Sequence, residues 1–158
     1  MTWNVWRWYI LSVSVAIIDQ LTKYAVTQNF LYGAHENVFP GLNLLLIHNT
    51  GAAFSFLSDA GGWQRWLFLT ISLVVSIVLV VWLYRLKKPQ FFLSLSLALV
   101  LGGAIGNLYD RIFLGYVIDF IDFYYKNYHW PVFNIADTSI TIGAVFLIFE
   151  SLMVKKHK

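Results

Sequence analysis

The stretch Trp66-Leu-Phe-Leu-Thr-Ile-Ser-Leu-Val-Val-Ser-Ile-Val-Leu-Val-Val-Trp-Leu-Tyr84 runs for 19 residues without a charge. At 1.5 Å per helical residue it is long enough to cross the hydrocarbon core of a bilayer. A second charge-free run of the same length, Phe91 to Tyr109, follows at once. Two more segments fit the pattern with interruptions. Trp8 to Thr27 carries Asp19 and Lys23, and Thr138 to Val154 carries Glu150 near its end. The whole chain agrees: of 158 residues 59% are hydrophobic and 12% charged, with mean hydropathy +0.66, against about 25% charged in a soluble domain. The expectation is one all-α membrane domain over 1–158 with four spans, about 8–27, 66–84, 91–109 and 138–154. The first span lacks a small-x-small cleavage site after it, so it reads as a retained helix.

Orientation follows from the basic residues. With the N-terminus in the cytoplasm, three short cytoplasmic pieces hold Arg7, then Arg85, Lys87 and Lys88, then Lys155, Lys156 and Lys158, which is seven of the eleven Lys and Arg. That is the positive-inside bias. The longer outer segments, about 28–65 and 110–137, then hold six of the eight acidic residues and every histidine except His157. The net charge of +3 is a topology signal, and no basic face suited to nucleic acid exists. With no cysteine, neither a disulfide nor a thiol nucleophile is available. Phe39 to His48, bounded by turn residues, predicts a short strand or two. Gly61 to Trp66 predicts an interfacial aromatic anchor opening the second helix, and Gly102, Gly103 and Gly106 predict a close-packing face on the third.

Ionisable residues at the rim of a bundle are expensive and so are functional candidates. Asp19 and Lys23 are one turn apart, as are Asn107 and Arg111 with Asp110 between them. Each set also admits a local ion pair or helix-end hydrogen bonding. Asp137 could cap the fourth helix. Asp119, 18 residues earlier in the same outer segment, changes the weighing, because a segment folding back would bring the two together. Two carboxylates sharing a site divide one proton between them. One can then take a proton from water while the other donates to a scissile carbonyl. A carboxylate-rich metal site from Asp119, Asp122, His129 and Asp137 is the rival, though no HExxH-type spacing supports it. His35 and His48 read as surface or turn residues. A serine hydrolase lacks the Gly-x-Ser-x-Gly signature. From another class, a small transporter or proton relay would use Asp19, Asp110 and Asp137, and a structural assembly protein would leave the paired aspartates unexplained.

Five motifs in order carry a family resemblance: Asp19-Gln-Leu-Thr-Lys23, Asn49-Thr-Gly-Ala-Ala-Phe54, Gly102-Gly-Ala-Ile-Gly-Asn-Leu-Tyr-Asp-Arg111, Val117-Ile-Asp-Phe120 and Phe133-Asn-Ile-Ala-Asp137. Along nearly its whole length the chain resembles lipoprotein signal peptidase (signal peptidase II), the membrane aspartyl peptidase of bacteria. The resemblance implies Asp119 and Asp137 as a catalytic dyad working without a metal or cofactor. It implies Asp19, Lys23, Asn49, Gly51, Asn107, Arg111 and Asn134 around that dyad and the substrate backbone. It further implies a multi-pass inner-membrane protein with both termini cytoplasmic. A small β-rich cradle on the outer surface, a short mobile helix over the site and an active site near the outer leaflet belong to the same expectation. The implied substrate is a diacylglyceryl-modified prolipoprotein cut just before its lipidated cysteine, within membrane lipid, and globomycin-like cyclic peptides are the implied inhibitors. Asp122 falls outside the family pattern. Its expected place is the water or headgroup layer, with no part in the chemistry. Whether it shares a face with Asp119 depends on whether the segment is helix or strand.

Overall fold

The computed structural model describes residues 4–51, 62–86 and 90–155. Lys87, Lys88, Lys156, Lys158 and the Ala52–Phe54 part of the second motif lie outside those residues. Four helices are long and apolar enough to cross a membrane. They are α1 (Trp6–Asn29), α2 (Trp63–Arg85), α3 (Phe91–Phe113) and α4 (Ile135–Lys155). Each extends past the span expected from hydropathy by a few residues at one end or both. The added turns carry residues that hydropathy counts against a span, Asp110 and Arg111 in α3 and Asp137 in α4, and these are bonded inside the bundle.

Between α1 and α2 lies a hairpin, β1 (His35–Phe39) and β2 (Leu42–Asn49). Between α3 and α4 lie β3 (Val117–Tyr125) and β4 (Tyr128–His129). They form one four-stranded sheet in the order β1-β2-β3-β4, every neighbouring pair antiparallel. The expected cradle is therefore present and sits at one end of the bundle. No further helix occurs among the described residues of the segments joining the spans, and positions 52–61 lie outside them.

The bundle is built around α3. More than half of its span is buried, against roughly a fifth for each of the others. Its glycines permit this. A Cβ on Gly102 would lie 2.7 Å from the Ser12 carbonyl of α1, and one on Gly103 would collide with the Ala136 carbonyl of α4. The close-packing face expected at Gly102, Gly103 and Gly106 thus serves both neighbours of α3. Trp8, Leu79, Leu83, Leu97 and Leu101 pack at one end, and Val26, Leu46, Ile118 and Phe120 join α1 to the sheet at the other. Outward, α1, α2 and α4 expose Ile10, Ile17, Val74, Ile77, Val145 and Ile148 by more than half or nearly so. Such a belt is stable only against lipid tails.

Candidate active site

Five elements converge where α3 meets the sheet. Asp119 lies on β3 and is 1% exposed. Because β3 is a strand, Asp119 and Asp122 face opposite sides of the sheet. Opposite Asp119 on β2 is Ile47, and Asn49 lies diagonally across, next to Val117. That places the Asn49 Nδ2 2.9 Å from Asp119 Oδ2, to which it donates, while Asn49 Oδ1 accepts from the Gly51 N–H at 2.9 Å. The orientation of the Asn49 amide is set by those two bonds.

Asp137 comes to the same place through a fold-back. After β4 the chain crosses beside β3, where Phe133 bridges Ile121, and Asn134 then opens α4. The Asp137 N–H donates to Asn134 Oδ1 at 2.9 Å, and Asp137 Oδ2 accepts from the Asn134 N–H at 3.3 Å. This is the reciprocal arrangement of a capping box. Expected as a first-turn or cap residue, Asp137 sits in the first turn with Asn134 as the cap, and its capping bonds hold its carboxylate in place. Asn134 Nδ2 donates to Asp119 Oδ1 at 2.7 Å, so a single asparagine is bonded to both aspartates.

Behind the pair lies Lys23, 1% exposed. Its Nζ meets Asp19 Oδ2 and Asp110 Oδ2 at 2.8 Å each and donates to Asn107 Oδ1 at 2.8 Å. A lysine can only donate, so Asn107 must turn its oxygen toward Lys23. Its Nδ2 then donates to Asp137 Oδ1 at 2.8 Å. Asp19 Oδ1 accepts the Ala136 N–H at 2.9 Å, so α1 holds the first turn of α4 directly. Arg111 reaches the other side. Its guanidinium donates to the Gly51 carbonyl at 3.0 Å and to the Asn107 carbonyl at 3.3 Å, lies over the Phe68 ring, and feels the charges of both Asp137 and Asp119.

All nine residues that the resemblance implied for the site are thus brought into one network. The local Asp19–Lys23 pair is real but incomplete, because Lys23 is shared with α3. Two members were not assigned to the site. Asp110 accepts from Lys23 and from the Ile118 N–H at 3.2 Å, and Gln20 bridges Asp19, Asp110 and the Gly106 carbonyl. Their signal was present, since both stand inside quoted motifs, but nothing in spacing separates them from their neighbours. Arg111 makes its hydrogen bonds to carbonyls, whereas an interfacial pair with Asp110 had been one expectation.

Asp122 corrects the expectation placed on it. It is 0% exposed and faces neither water nor headgroups. Asn43 Nδ2 donates to it at 2.9 Å, His129 Nδ1 lies 2.8 Å away and His35 Nδ1 4.0 Å away. The strand turns it to the far side of the sheet, so Asp119, Asp122, His129 and Asp137 do not converge. Among the described residues no group of three or more His, Asp or Glu is placed to hold a metal ion. His35 and His48 lie on strands and are exposed as expected, His48 stacked on Tyr116.

Burial, and then the charge of Asp137, push the Asp119 carboxyl up to about 7, against the hydrogen bonds from Asn49 and Asn134 and the charge of Lys23. One proton is therefore retained near neutrality by a group that ordinarily loses it near pH 4. Asp137, Asn107 and Arg111 open onto a cleft of roughly 770 Å³ whose other walls are mostly apolar, including Ile71, Val75, Val100 and Ile140. Such a cleft can take an extended apolar segment beside the Asp137 carboxyl group.

Comparison with known proteins gives a consistent result. The sequence model of the family described as signal peptidase (SPase) II matches residues 11–153. The lipoprotein signal peptidase of Acinetobacter baumannii strain ATCC 17978 is 50% identical over 151 residues, covering 96% of this chain and 86% of that one. That of Escherichia coli O6:K15:H31 is 48% identical over 152 residues, covering 96% and 93%. A bacterial membrane enzyme solved by the in meso method at 2.3 Å resolution superposes with a TM-score of 0.86 at 34% identity, covering 96% of this chain and 91% of that one.

Proposed function

The chain belongs to the signal peptidase II family, and from that premise we propose that it is a lipoprotein signal peptidase acting through an aspartyl dyad, Asp119 and Asp137. The observation that carries this reading is the shared Asn134, which bonds to both carboxylates within one buried network. Asp137 lies in the first turn of α4, where the helix dipole favours negative charge, and Asn107 donates to it. It is the resting carboxylate and the general base. Asp119, protonated up to about pH 7, is the general acid.

In the reaction, a water between the two carboxyl groups gives its proton to Asp137 as its oxygen attacks the scissile carbonyl carbon. Asp119 donates its proton to the carbonyl oxygen, which becomes the hydroxyl of a tetrahedral intermediate. Collapse breaks the C–N bond: one hydroxyl of the intermediate returns its proton to Asp119 as the C=O re-forms, and the proton held by Asp137 goes to the leaving amine. The new carboxylic acid ends the signal peptide, and the new amine begins the mature protein. Neither a metal ion nor a covalent enzyme intermediate is required by this balance. The Gly51 loop and Arg111 are placed to hold the substrate backbone.

The substrate is a prolipoprotein whose cysteine carries diacylglycerol, cut on the N-terminal side of that cysteine. Transferring acyl chains out of a bilayer costs about 0.8 kcal/mol per CH₂, so the carboxylates must come to the lipid, and a site at the bundle rim does so. The positive-inside distribution supports both termini in the cytoplasm and the sheet on the outer leaflet. Globomycin-like cyclic peptides would compete in the same cleft. The test is cleavage of a diacylglyceryl prolipoprotein in micelles with chelator present. Asp119→Asn and Asp137→Asn should each lose roughly 10³-fold or more, while chelator leaves the wild type unaffected. Loss of activity with chelator, or activity surviving both substitutions, would sink the dyad.

A further inference from the structure

Arg65, in the first turn of α2, is a cation without a counterion among the described residues. Its Nε is buried with no hydrogen-bond partner. Its guanidinium is pressed against the backbone of Gly115, where a Cβ would lie 2.9 Å from Cζ, and lies 5.4 Å from the centre of the Trp66 ring. Gly115 has φ +87°, a conformation that glycine adopts without strain. The position is electrostatically adverse. The first turn is the positive end of the helix dipole, it contains no acidic residue, and Gly62 before it offers no side-chain cap. Among the described residues no anion faces the guanidinium or this helix end.

The depth of the site says which anion. Arg65 and Arg85 bound the charge-free run of α2 and stand 20 residues apart, about 30 Å along the axis, the thickness of the hydrocarbon core. Arg65 therefore lies at the level of the lipid phosphates. Trp63 and Trp66 beside it are 55% and 65% exposed, as interfacial aromatics are. We propose that Arg65 binds the phosphodiester of a glycerophospholipid from the surrounding leaflet, the acyl chains lying along α2. The phosphate oxygens accept from the terminal guanidinium nitrogens, since Nε faces inward toward Gly115, in charge-assisted bonds that offset the positive helix end. This rests on the four-span membrane architecture and does not depend on the chemistry of the dyad. It has a route to it all the same, because Phe68, one turn along α2, carries the Arg111 guanidinium.

The test is native mass spectrometry of the full chain in detergent, titrated with a short-chain phosphatidylglycerol. Arg65→Gln should weaken binding roughly fivefold, and Arg65→Lys should keep part of it. Arg85→Gln, at the opposite end of α2, should cost less. Dioctanoylglycerol, which has no phosphate, should bind wild type and Arg65→Gln alike. Equal binding of the phospholipid by wild type and Arg65→Gln would overturn the proposal, as would an equal loss in Arg85→Gln. So would inorganic phosphate matching the lipid, since the site would then take a free anion. Tighter lipid binding by Asp59→Asn would mean that a carboxylate of the chain already holds the guanidinium, and would overturn it too.

Discussion

Replacing Lys23 with Met tests the network behind the dyad most sharply. The methylene stem is preserved in length, so packing between α1 and α3 changes little. What disappears is the ammonium group and its three bonds, to Asp19, Asp110 and Asn107, each 2.8 Å long. Two carboxylates, 0% and 1% exposed, then face each other without a cation. Removing one partner of a buried ion pair costs about 3–5 kcal/mol, because the survivor stays buried and charged. Asp19 keeps the Ala136 N–H, and Asp110 keeps the Ile118 N–H and Gln20, which holds the loss within that range. Adding Asp110→Asn to Lys23→Met removes one orphaned charge and should restore about 1–3 kcal/mol. The assay is reversible unfolding of the full chain in mixed micelles by SDS titration. Turnover should fall as well, by roughly 100-fold, since Asn107 is then free to turn its oxygen toward Asp137. A stability loss below about 1 kcal/mol, or a double variant less stable than the single one, would refute the reasoning.

Four further outcomes are expected. Because Asp119 keeps its proton up to about pH 7 and the proposed mechanism uses that proton, kcat/KM should fall about tenfold per pH unit above that value; a flat profile from pH 6 to 9 would contradict it. The same raised pKa means that the native state binds more protons than the unfolded one between about pH 4 and 7, so its contribution to stability declines as pH rises through that window. Asp122→Asn should cost about 1–3 kcal/mol of stability through the bonds to Asn43 and His129 while leaving kcat within a few-fold of wild type, read by micellar unfolding beside the cleavage assay. Gly106→Ala should cost about 1–3 kcal/mol by overpacking and lower turnover, because its Cβ would stand 2.5 Å from Asp19 Oδ2; retention of full stability in the same unfolding assay would show that α1 and α3 can part there.

Much of this architecture was legible in the sequence because lipid imposes a simple rule. A helix with an apolar belt must cross, and charge-free runs such as Trp66–Tyr84 mark it without ambiguity. The helix ends were less legible. Hydropathy counts Asp110, Arg111 and Asp137 as outside, whereas the fold satisfies them with partners from other helices, and those partners cannot be seen locally. The resemblance motifs named the residues of the site but not its wiring. That Lys23 serves α3 as much as α1, and that Asn134 joins both aspartates, follows only from the approach of α3 to α1 and α4 through its glycines. Asp122 was misplaced because a carboxylate outside the family pattern was expected to face water. A carboxylate between an asparagine and a histidine of neighbouring strands can be buried at modest cost, and that pairing depends on strand register.

The sharing of Lys23 bears on how the protein enters its membrane. Lys23 and Asp110 are 87 residues apart, so during synthesis α1 meets the bilayer well before α3 exists. Until then Asp19, one turn away, is the anion at hand, and an i,i+4 pair makes the first helix tolerable in lipid on its own. Once α3 arrives it takes up half of that interaction through Asp110 and gains an anchor against α1. The Ala136 N–H completes the process when α4 docks on Asp19. Insertion and assembly of the network are therefore ordered by the chain itself, and the proposed dyad is complete only when α4 has docked.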